Sequence, residues 1–592
     1  MGLDLFNTST ESLESLLQKV QSIKTPVALD TETTGLRWQK NRAFGVSLAF
    51  GNQSYFLRND TYGKNRIAEF LRSLIANAND LIFHNAKFDA HILKLTYDID
   101  VPFDKVHDTY TVTYLYDNES SHELKQLAKQ YISPDADKYE IAINEYNNAY
   151  RNKNYALIPA HILDVYAQKD AEYTLKLFHI IYPKLSANNK AWYEIERRIL
   201  GIVYKMEEHG ILIDIPYLHM VNKELDKALS ILEKAIHSVA GYPINILSED
   251  ELANLLYKKL KQPILSYTSP SKTYPEGKAS TDKYALAQLE HPVAKKILQY
   301  KEIYKLRYTY TENYLDVDSN NRLHPTWNPL GAITGRFTSA DPNFQNQKNE
   351  PLLKRAVIGK SSLLEFDYNQ VEFRLAGHIA NESTVIDSYK NDPNIDYHVI
   401  TGSQMYNVPL ETITKDSIYR RGGKTLNFAI LFGEGPDKLA SQLKCQVSEA
   451  KEKIDIYFQR APGLKKAIYN FKKRKRDYGY VTTIFGRDIQ VKRTNDYAVF
   501  NTIVQGSASD LLKLSLVNID KEFGPELVNT IHDSGYVENM PLEDIPALIR
   551  TLEDFHLSIP IKVAVKYSSH DLASMKEWTT HASEEQLIGK ER

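Results

Sequence analysis

Residues 361–380 read SSLLEFDYNQVEFRLAGHIA. Leu363, Leu364 and Phe366 form a short apolar run, the pattern of a buried strand, and the run delivers Asp367 at its end. After a polar corner at Tyr368–Gln370 the period changes. Val371, Leu375 and Ile379 recur every four residues, so a helix with one apolar face begins there, carrying Glu372 and Arg374 in its first turn. A carboxylate projecting from a strand's end into a cleft is a natural hard ligand for Mg²⁺. Strands also end in Asp at ordinary turns, so this stretch gains meaning only from its companions.

Two companions exist. Residues 525–540, PELVNTIHDSGYVENM, place apolar-alternating runs Leu527–Ile531 and Tyr536–Met540 around His532-Asp533-Ser534-Gly535, which predicts a hairpin turning at Asp-Ser-Gly. That turn raises Asp533 beside Asp367 if both strands share a sheet. Two carboxylates holding two Mg²⁺ roughly 4 Å apart are the equipment of in-line phosphoryl transfer. Residues 416–436, DSIYRRGGKTLNFAILFGEGP, put Arg420, Lys424 and Phe428 on one helical stripe that stops at the Gly433-Glu434-Gly435-Pro436 breakers. Two cations and an aromatic on one face suit a triphosphate with a base beyond it, although a solvated basic face would look the same. The ordered set DYNQVEFR, RRGGKTLNFAILFG and HDSGYVE resembles motifs A, B and C of the family A (polymerase I-like) DNA polymerases.

In the first third, TPVALDTETTGL (25–36) reads as a strand over Val27–Glu32, with Asp30 and Glu32 two apart and therefore on one face. LIFHNAKFDAHIL (81–93) gives a strand, then Asn85, then Asp89 entering a helix. DVYAQKDAEYTLKLF (164–178) is helical and sets Tyr166 and Asp170 at i, i+4. The alternation of strands and helices suggests a mixed sheet flanked by helices. Asp30, Glu32, Asp89, Asp170 and Tyr166 together resemble the DnaQ-like 3′–5′ proofreading exonucleases of the variant with Tyr in the third motif. By that resemblance the four acids hold two metals and Tyr166 positions the attacking water.

The 592 residues suffice for several domains, and 42% hydrophobic with 25% charged residues is an ordinary globular balance. A formal charge of −2 means that any nucleic-acid contact must come from a local basic groove. The single cysteine, Cys445, excludes an internal disulfide and a Cys-based zinc site and fits a reducing compartment. MGLDLFNTST lacks signal-peptide character, Phe6 breaks a myristoylation pattern, and no apolar run is long enough to span a bilayer. A cytoplasmic location is expected, the host's cytoplasm if a phage encodes the chain.

The resemblance covers about residues 25–580 and implies an α/β multidomain architecture: an RNase H-like (DnaQ-like) exonuclease domain at 1–190, then a right-hand polymerase domain at 191–592. The thumb is expected at 200–320, the palm at 321–385 and 497–592, and the fingers at 386–496. EIERRILGIVYKMEEHGILID (194–214) resembles the family's lead-in to the polymerase region. The loop PILSYTSPSKTYPEGKAST (263–281) in the thumb offers Lys272 and Lys278 as phosphate contacts or as plain solvated lysines, and is too short for a large accessory-factor insertion. NPLGAITGRFTSADPNFQNQ (328–347) reads as loop, and resembles the family's TGR-S-DPN-QN segment. The resemblance assigns Arg336, Gln345, Asn346, Asn501, Gln505 and His532 to DNA, with Arg336 and Gln505 at the minor-groove edge of the primer-terminal pair, where every correct pair presents acceptors. It assigns Gln370, Glu372, His398, Arg420, Lys424, Phe428 and Phe432 to the incoming dNTP. KKRKR (472–476) is a solvated helix face or a DNA contact, YGYVTTIFGRD (478–488) matches the family's GYV-T-GR stretch, and the tail from about 580 reads as frayed.

Several positions depart from the family pattern. Ser534 stands where most relatives have Glu, Phe432 replaces a Tyr, Ala429 replaces a Gly, and Lys354 and Arg355 occupy a shortened segment at 347–356. No 5′ nuclease region is expected. The resemblance implies primer extension under two Mg²⁺ per active site (with Mn²⁺ able to substitute), held by Asp367 and Asp533, with Lys424 protonating the leaving pyrophosphate. Primer-template DNA and dNTPs are the expected partners of a monomer, alongside unidentified replisome proteins. The rival readings are a nuclease with a DNA-binding half, a single-subunit RNA polymerase and a non-catalytic scaffold.

Overall fold

The computed structural model describes residues 12–22, 25–151, 154–345 and 350–579. Asn346, the first residues from Met1 and the tail from 580 lie outside them.

Near the N-terminus a five-stranded sheet runs in the order β3-β2-β1-β4-β5, with β1 at Val27–Thr33, β2 at Ala43–Phe50, β3 at Gln53–Arg58, β4 at Leu81–Phe83 and β5 at Val106–Asp108. β1, β2 and β3 are antiparallel, whereas β4 and β5 run parallel to β1. The sheet is thus mixed, as the strand-and-helix alternation predicts. Its core is Leu29, Val46, Leu48, Leu81 and Phe83, and helices Ala86–Tyr97 and Ala160–Ile181 carry the acidic residues against it.

The second sheet is antiparallel throughout: strands Glu526–Ile531, Ser534–Glu538, Leu363–Tyr368, Val563–Ser568 and Lys576–Glu577 lie side by side in that order. Leu364, Phe366, Val537 and Val565 pack against Leu511 and Leu516 of the helix Val499–Phe523, so the alternate residues Glu365 and Asp367 face away from this core. A third core, built on Leu426, Ile430, Leu464 and Phe500, lies under the basic helix Ile418–Phe432, which ends at Gly433 with φ 66°. Residues 215–315 are mostly helical, with Ile215–Ala240 and Pro292–Lys305 the longest pieces.

Some local expectations are corrected. The hairpin turns on two residues, His532 and Asp533, not on Asp-Ser-Gly: Ile531 pairs with Ser534, Gly535 lies within the strand, and His532 takes φ 53°. Residues 328–347 are not all loop, because Thr326–Asn328 and Thr338–Ala340 pair antiparallel. Lys278 is not free for phosphate: its Nζ lies 2.9 Å from Asp250 and 3.7 Å from Glu249. Arg355 is held between Asp214 (3.2 Å) and Asp571 (3.4 Å), over the Tyr217 ring.

The two halves are joined by buried ions. Glu207, 1% exposed, accepts from Lys87 Nζ (2.6 Å), from Trp327 N (2.6 Å) and from His91 Nε2 (2.9 Å), while Lys87 also donates to Trp327 O. Its pKa is held below the usual carboxylate range because Lys87 and His91 outweigh its burial. Removing one member strands the other charge in a dry site, which costs on the order of 3–5 kcal/mol. Glu207→Ala is therefore expected to lower stability by about that much, read by denaturant titration, and to loosen the first third from the remainder in limited proteolysis. A loss below about 1 kcal/mol with an unchanged digestion pattern contradicts this role.

Candidate active sites

Asp367 pairs with Ser534 across the sheet, one residue from the turn that carries Asp533. Both carboxylates line a cavity of about 230 Å³, together with Gln370, Glu372, Phe373, His398, Asn427, Phe428 and Leu431. The expected strand carboxylate and hairpin carboxylate thus meet. Burial pushes Asp533 up to about 6; Arg336 opposes that and the charges of Glu372 and Asp367 add to it. Asp367 is raised by burial and by Glu365, two residues back on the same strand face. Glu365 was not anticipated; it accepts from Tyr536 Oη (2.9 Å) and Lys566 Nζ (2.8 Å) and places more negative charge beside Asp367.

Arg336 is paired with Glu372 and reaches to 3.6 Å from Asp533. Gln345 braces the hairpin, donating to Thr530 O (2.9 Å) and accepting from His532 N (3.4 Å). His532 is exposed, whereas Asn501 and Gln505 are half-buried on the helix Val499–Phe523, with Asn501 Oδ1 enclosed and unpaired. Gln370, at φ 50°, is held by Tyr389 Oη (3.2 Å) and Ile395 O (3.3 Å).

On the helix Ile418–Phe432 the predicted stripe is present. Phe428 lines the cavity, Phe432 stacks on it at 5.7 Å, and Lys424 Nζ lies 5.7 Å from the Phe428 ring. Lys424 is exposed and Arg420 is bound to Asp396 at 2.5 Å, so both cations sit outside the cavity lining. Ser534 Oγ donates to Ile531 O (2.7 Å) and tightens the turn.

The second cluster lies over β1. Carboxylate oxygens of Asp30, Glu32 and Asp170 all fall within 4.8 Å of one another. Burial pushes Asp30 up to about 6 and, with the charge of Asp30 added, Glu32 up to about 8. Asp89 adjoins them, its Oδ1 accepting from Thr31 N (2.9 Å) and Thr31 Oγ1 (2.7 Å), and burial and the Asp30 charge hold its carboxyl well above the usual range. Three of the four expected acids therefore converge, and the fourth anchors β1. An unforeseen residue completes the site: buried Lys125 pairs with Asp170 and lies 4.2 Å from the Tyr166 ring. Its helix, Leu124–Tyr131, offers no motif, and only the tertiary fold brings it here. One lysine against three carboxylates leaves excess negative charge, and clustered hard oxygens suit a divalent cation. The residues present fit a metal.

A model described as DNA polymerase family A matches residues 215–572, and one described as 3'-5' exonuclease matches residues 6–186. The chain belongs to DNA polymerase family A, with an exonuclease domain ahead of its polymerase domain. It is 28% identical to DNA polymerase I of Borreliella burgdorferi over 597 residues (94% of this chain, 63% of that protein). It is 32% identical to the thermostable DNA polymerase I of Thermus aquaticus over 433 residues (68% of this chain, 51% of that protein). The chain thus spans between half and two-thirds of the length of these relatives. A similar fold is found in the polymerase domain of Pol1 from M. smegmatis, solved with DNA primer-template and dNTP: TM-score 0.75, 22% identity, covering 95% of this chain and 98% of that one. Family A polymerases and their exonuclease domains depend on divalent metal. No helix among the described residues is long and apolar enough to cross a membrane.

The raised carboxyls set a pH dependence. Asp30, Glu32 and Asp533 hold their protons more tightly folded than unfolded, so this stability is present at about pH 4 and is lost as pH rises through about 6 and about 8. In a chelator the melting temperature is expected to fall by a few degrees between pH 5 and 8, and added Mg²⁺ or Glu32→Gln should flatten the slope. A metal-free melting temperature that is level or rising over that range contradicts the assignment.

Proposed function

We propose that this chain is a template-directed DNA polymerase, adding dNTPs to a primer 3′-OH, with a 3′–5′ proofreading exonuclease in its first third. The observation that carries the reading is the seating of Asp367 and Asp533 in one cavity beneath the Phe428 face of a basic helix. Mg²⁺ at Asp367 and Asp533 would supply a lowered pKa for the attacking hydroxyl and a counter-charge for the triphosphate. The domain limits follow the sequence reading: exonuclease to about 190, thumb to about 320, and palm and fingers beyond.

The residues divide the work. Phe428 stacks along the nucleotide, and Glu372, held by Arg336, packs where a ribose 2′-OH would intrude and thereby disfavours ribonucleotides. Arg420, Lys424 and His398 face the departing pyrophosphate, whose growing charge they stabilise. In this reading the exposed Lys424 gives it a proton. Gln345 fixes the hairpin turn against the DNA side, and Gln505 and Asn501 offer amide groups from the neighbouring helix. In the first third, Asp30, Glu32 and Asp170 hold the metals and Tyr166 orients the water. Both sites lie in one chain, so a monomer suffices. Its partners in this reading are primer-template DNA and dNTPs. The single free Cys445 suits a reducing, cytoplasmic setting.

The two sites should separate by mutation. Asp367→Asn or Asp533→Asn is expected to reduce primer extension at least a hundredfold while duplex binding stays within a few-fold. The double variant Asp30→Ala with Glu32→Ala should keep extension and lose removal of a mismatched 3′ terminus. Extension above a few per cent in either Asn variant, or mismatch removal at the parental rate in the double variant, contradicts the assignment.

A further inference from the structure

His398 opens the helix Tyr397–Tyr406, and its ring lies in the cavity wall 5.8 Å from the Phe428 ring. Behind it sits Asn427, fully buried, on the helix Ile418–Phe432. Its side chain is pinned on both sides. Oδ1 accepts from Tyr457 Oη at 2.9 Å, and Nδ2 donates to His398 Nδ1 at 3.0 Å and to Thr401 Oγ1 at 3.0 Å. Thr401 Oγ1 lies within donating distance of both Tyr397 O (3.0 Å) and Asn427 Oδ1 (3.1 Å), and with its proton on either its oxygen is free to accept.

The direction of this chain is set at its far end. Burial raises the Tyr457 phenol well above its ordinary range, so it is a donor at any working pH. Turning the Asn427 amide over would face the Tyr457 hydroxyl proton with an N–H₂ group and leave it unpaired in a closed interior, a costly arrangement. With the amide so oriented, the ring nitrogen facing it must be the acceptor, because a proton there would meet another donor. The opposite nitrogen, Nε2, makes no hydrogen bond to the described residues.

We propose that Asn427 is a positioning residue: locked by Tyr457, it holds His398 neutral with the proton on Nε2, so that His398 offers the cavity one uncharged N–H donor. The inference rests on the polymerase reading only in naming the ligand, a triphosphate or pyrophosphate oxygen. The charged groups around the ring agree with it. Burial lowers His398 to about 4; Asp396 at the start of its own helix opposes that, and Arg420 and Lys424 of the neighbouring helix reinforce it. Asp367, Glu372 and Asp533 line the same cavity, and Tyr457 lies behind. His398 therefore gives direction, and the positive charge near the leaving group comes from Arg420 and Lys424.

The test is the ¹⁵N spectrum of the full chain labelled at histidine, with the His398 signals identified by their loss in His398→Gln. Between pH 6 and 8 the parent should show Nδ1 unprotonated, Nε2 protonated and no titration. Asn427→Asp puts an anionic acceptor opposite Nδ1, so the proton should move there and the ring should titrate within that range. kcat for dNTP addition should then fall roughly tenfold or more, with KM little changed, and acquire a pH limb the parent lacks. Tyr457→Phe, which removes only the lock, should give mixed tautomers and guards against misfolding of the Asp variant. A protonated Nδ1 in the parent, or parental shifts in both variants, overturns the proposal. If the nitrogen pattern is as stated but His398→Gln leaves dNTP kinetics untouched, the lock stands and it is the triphosphate assignment of the cavity that fails.

Discussion

The pairing of strand Leu363–Tyr368 with strand Ser534–Glu538 is the constraint on which the rest depends. Asp367 lies opposite Ser534, so the two-residue turn sets Asp533 beside it. Because side chains alternate along a strand, a slip of one residue would turn Asp367 into the core and Phe366 into the cavity. The register is enforced from both sides: Phe366 and Leu364 are buried with Val537 and Val565, and Val563–Ser568 pairs along the other edge of the Asp367 strand. Gly535 leaves no room for slippage, since a Cβ there would strike the Phe366 ring. Burial energy of ordinary apolar residues thus fixes the spacing of two acids that repel each other.

That repulsion is repeated in the first third, where Asp30, Glu32 and Asp170 converge over the sheet with the cation Lys125 paired to Asp170. Burial raises the carboxyls of Asp30 and Glu32 in one cluster and of Asp367 and Asp533 in the other, and a divalent cation would relieve both. The two clusters share no residue, and the buried Glu207 network ties the two parts of the chain together.

Much of this was legible from local pattern. The strand-to-helix switch at 361–380, the hairpin acids, the Arg420–Lys424–Phe428 stripe, and the faces of Asp30 with Glu32 and of Tyr166 with Asp170 follow from periods of 2 and 3.6, and the fold kept them. What was missed depends on residues far apart in the chain. Lys125 reaches Asp170 from a helix with no motif, and Arg336 is claimed by Glu372, 36 positions away. Lys278 looked available for phosphate, yet acids at 249 and 250 pair with it. Asp89 gives one carboxylate oxygen to the backbone N–H and hydroxyl of Thr31 on β1, a contact with no local signal. Charge in a sequence says what a residue carries; only packing says which partner uses it.

The two acidic clusters would give one chain two metal-dependent phosphoryl-transfer sites of opposite sense. A primed template ending in a 3′ mismatch, given to the purified chain with all four dNTPs, tests it most directly. The account predicts that with Mg²⁺ the mismatch is trimmed and the primer is then extended to full length, and that in chelator neither occurs. Full extension without prior trimming, trimming without extension, or either reaction proceeding in chelator would contradict it.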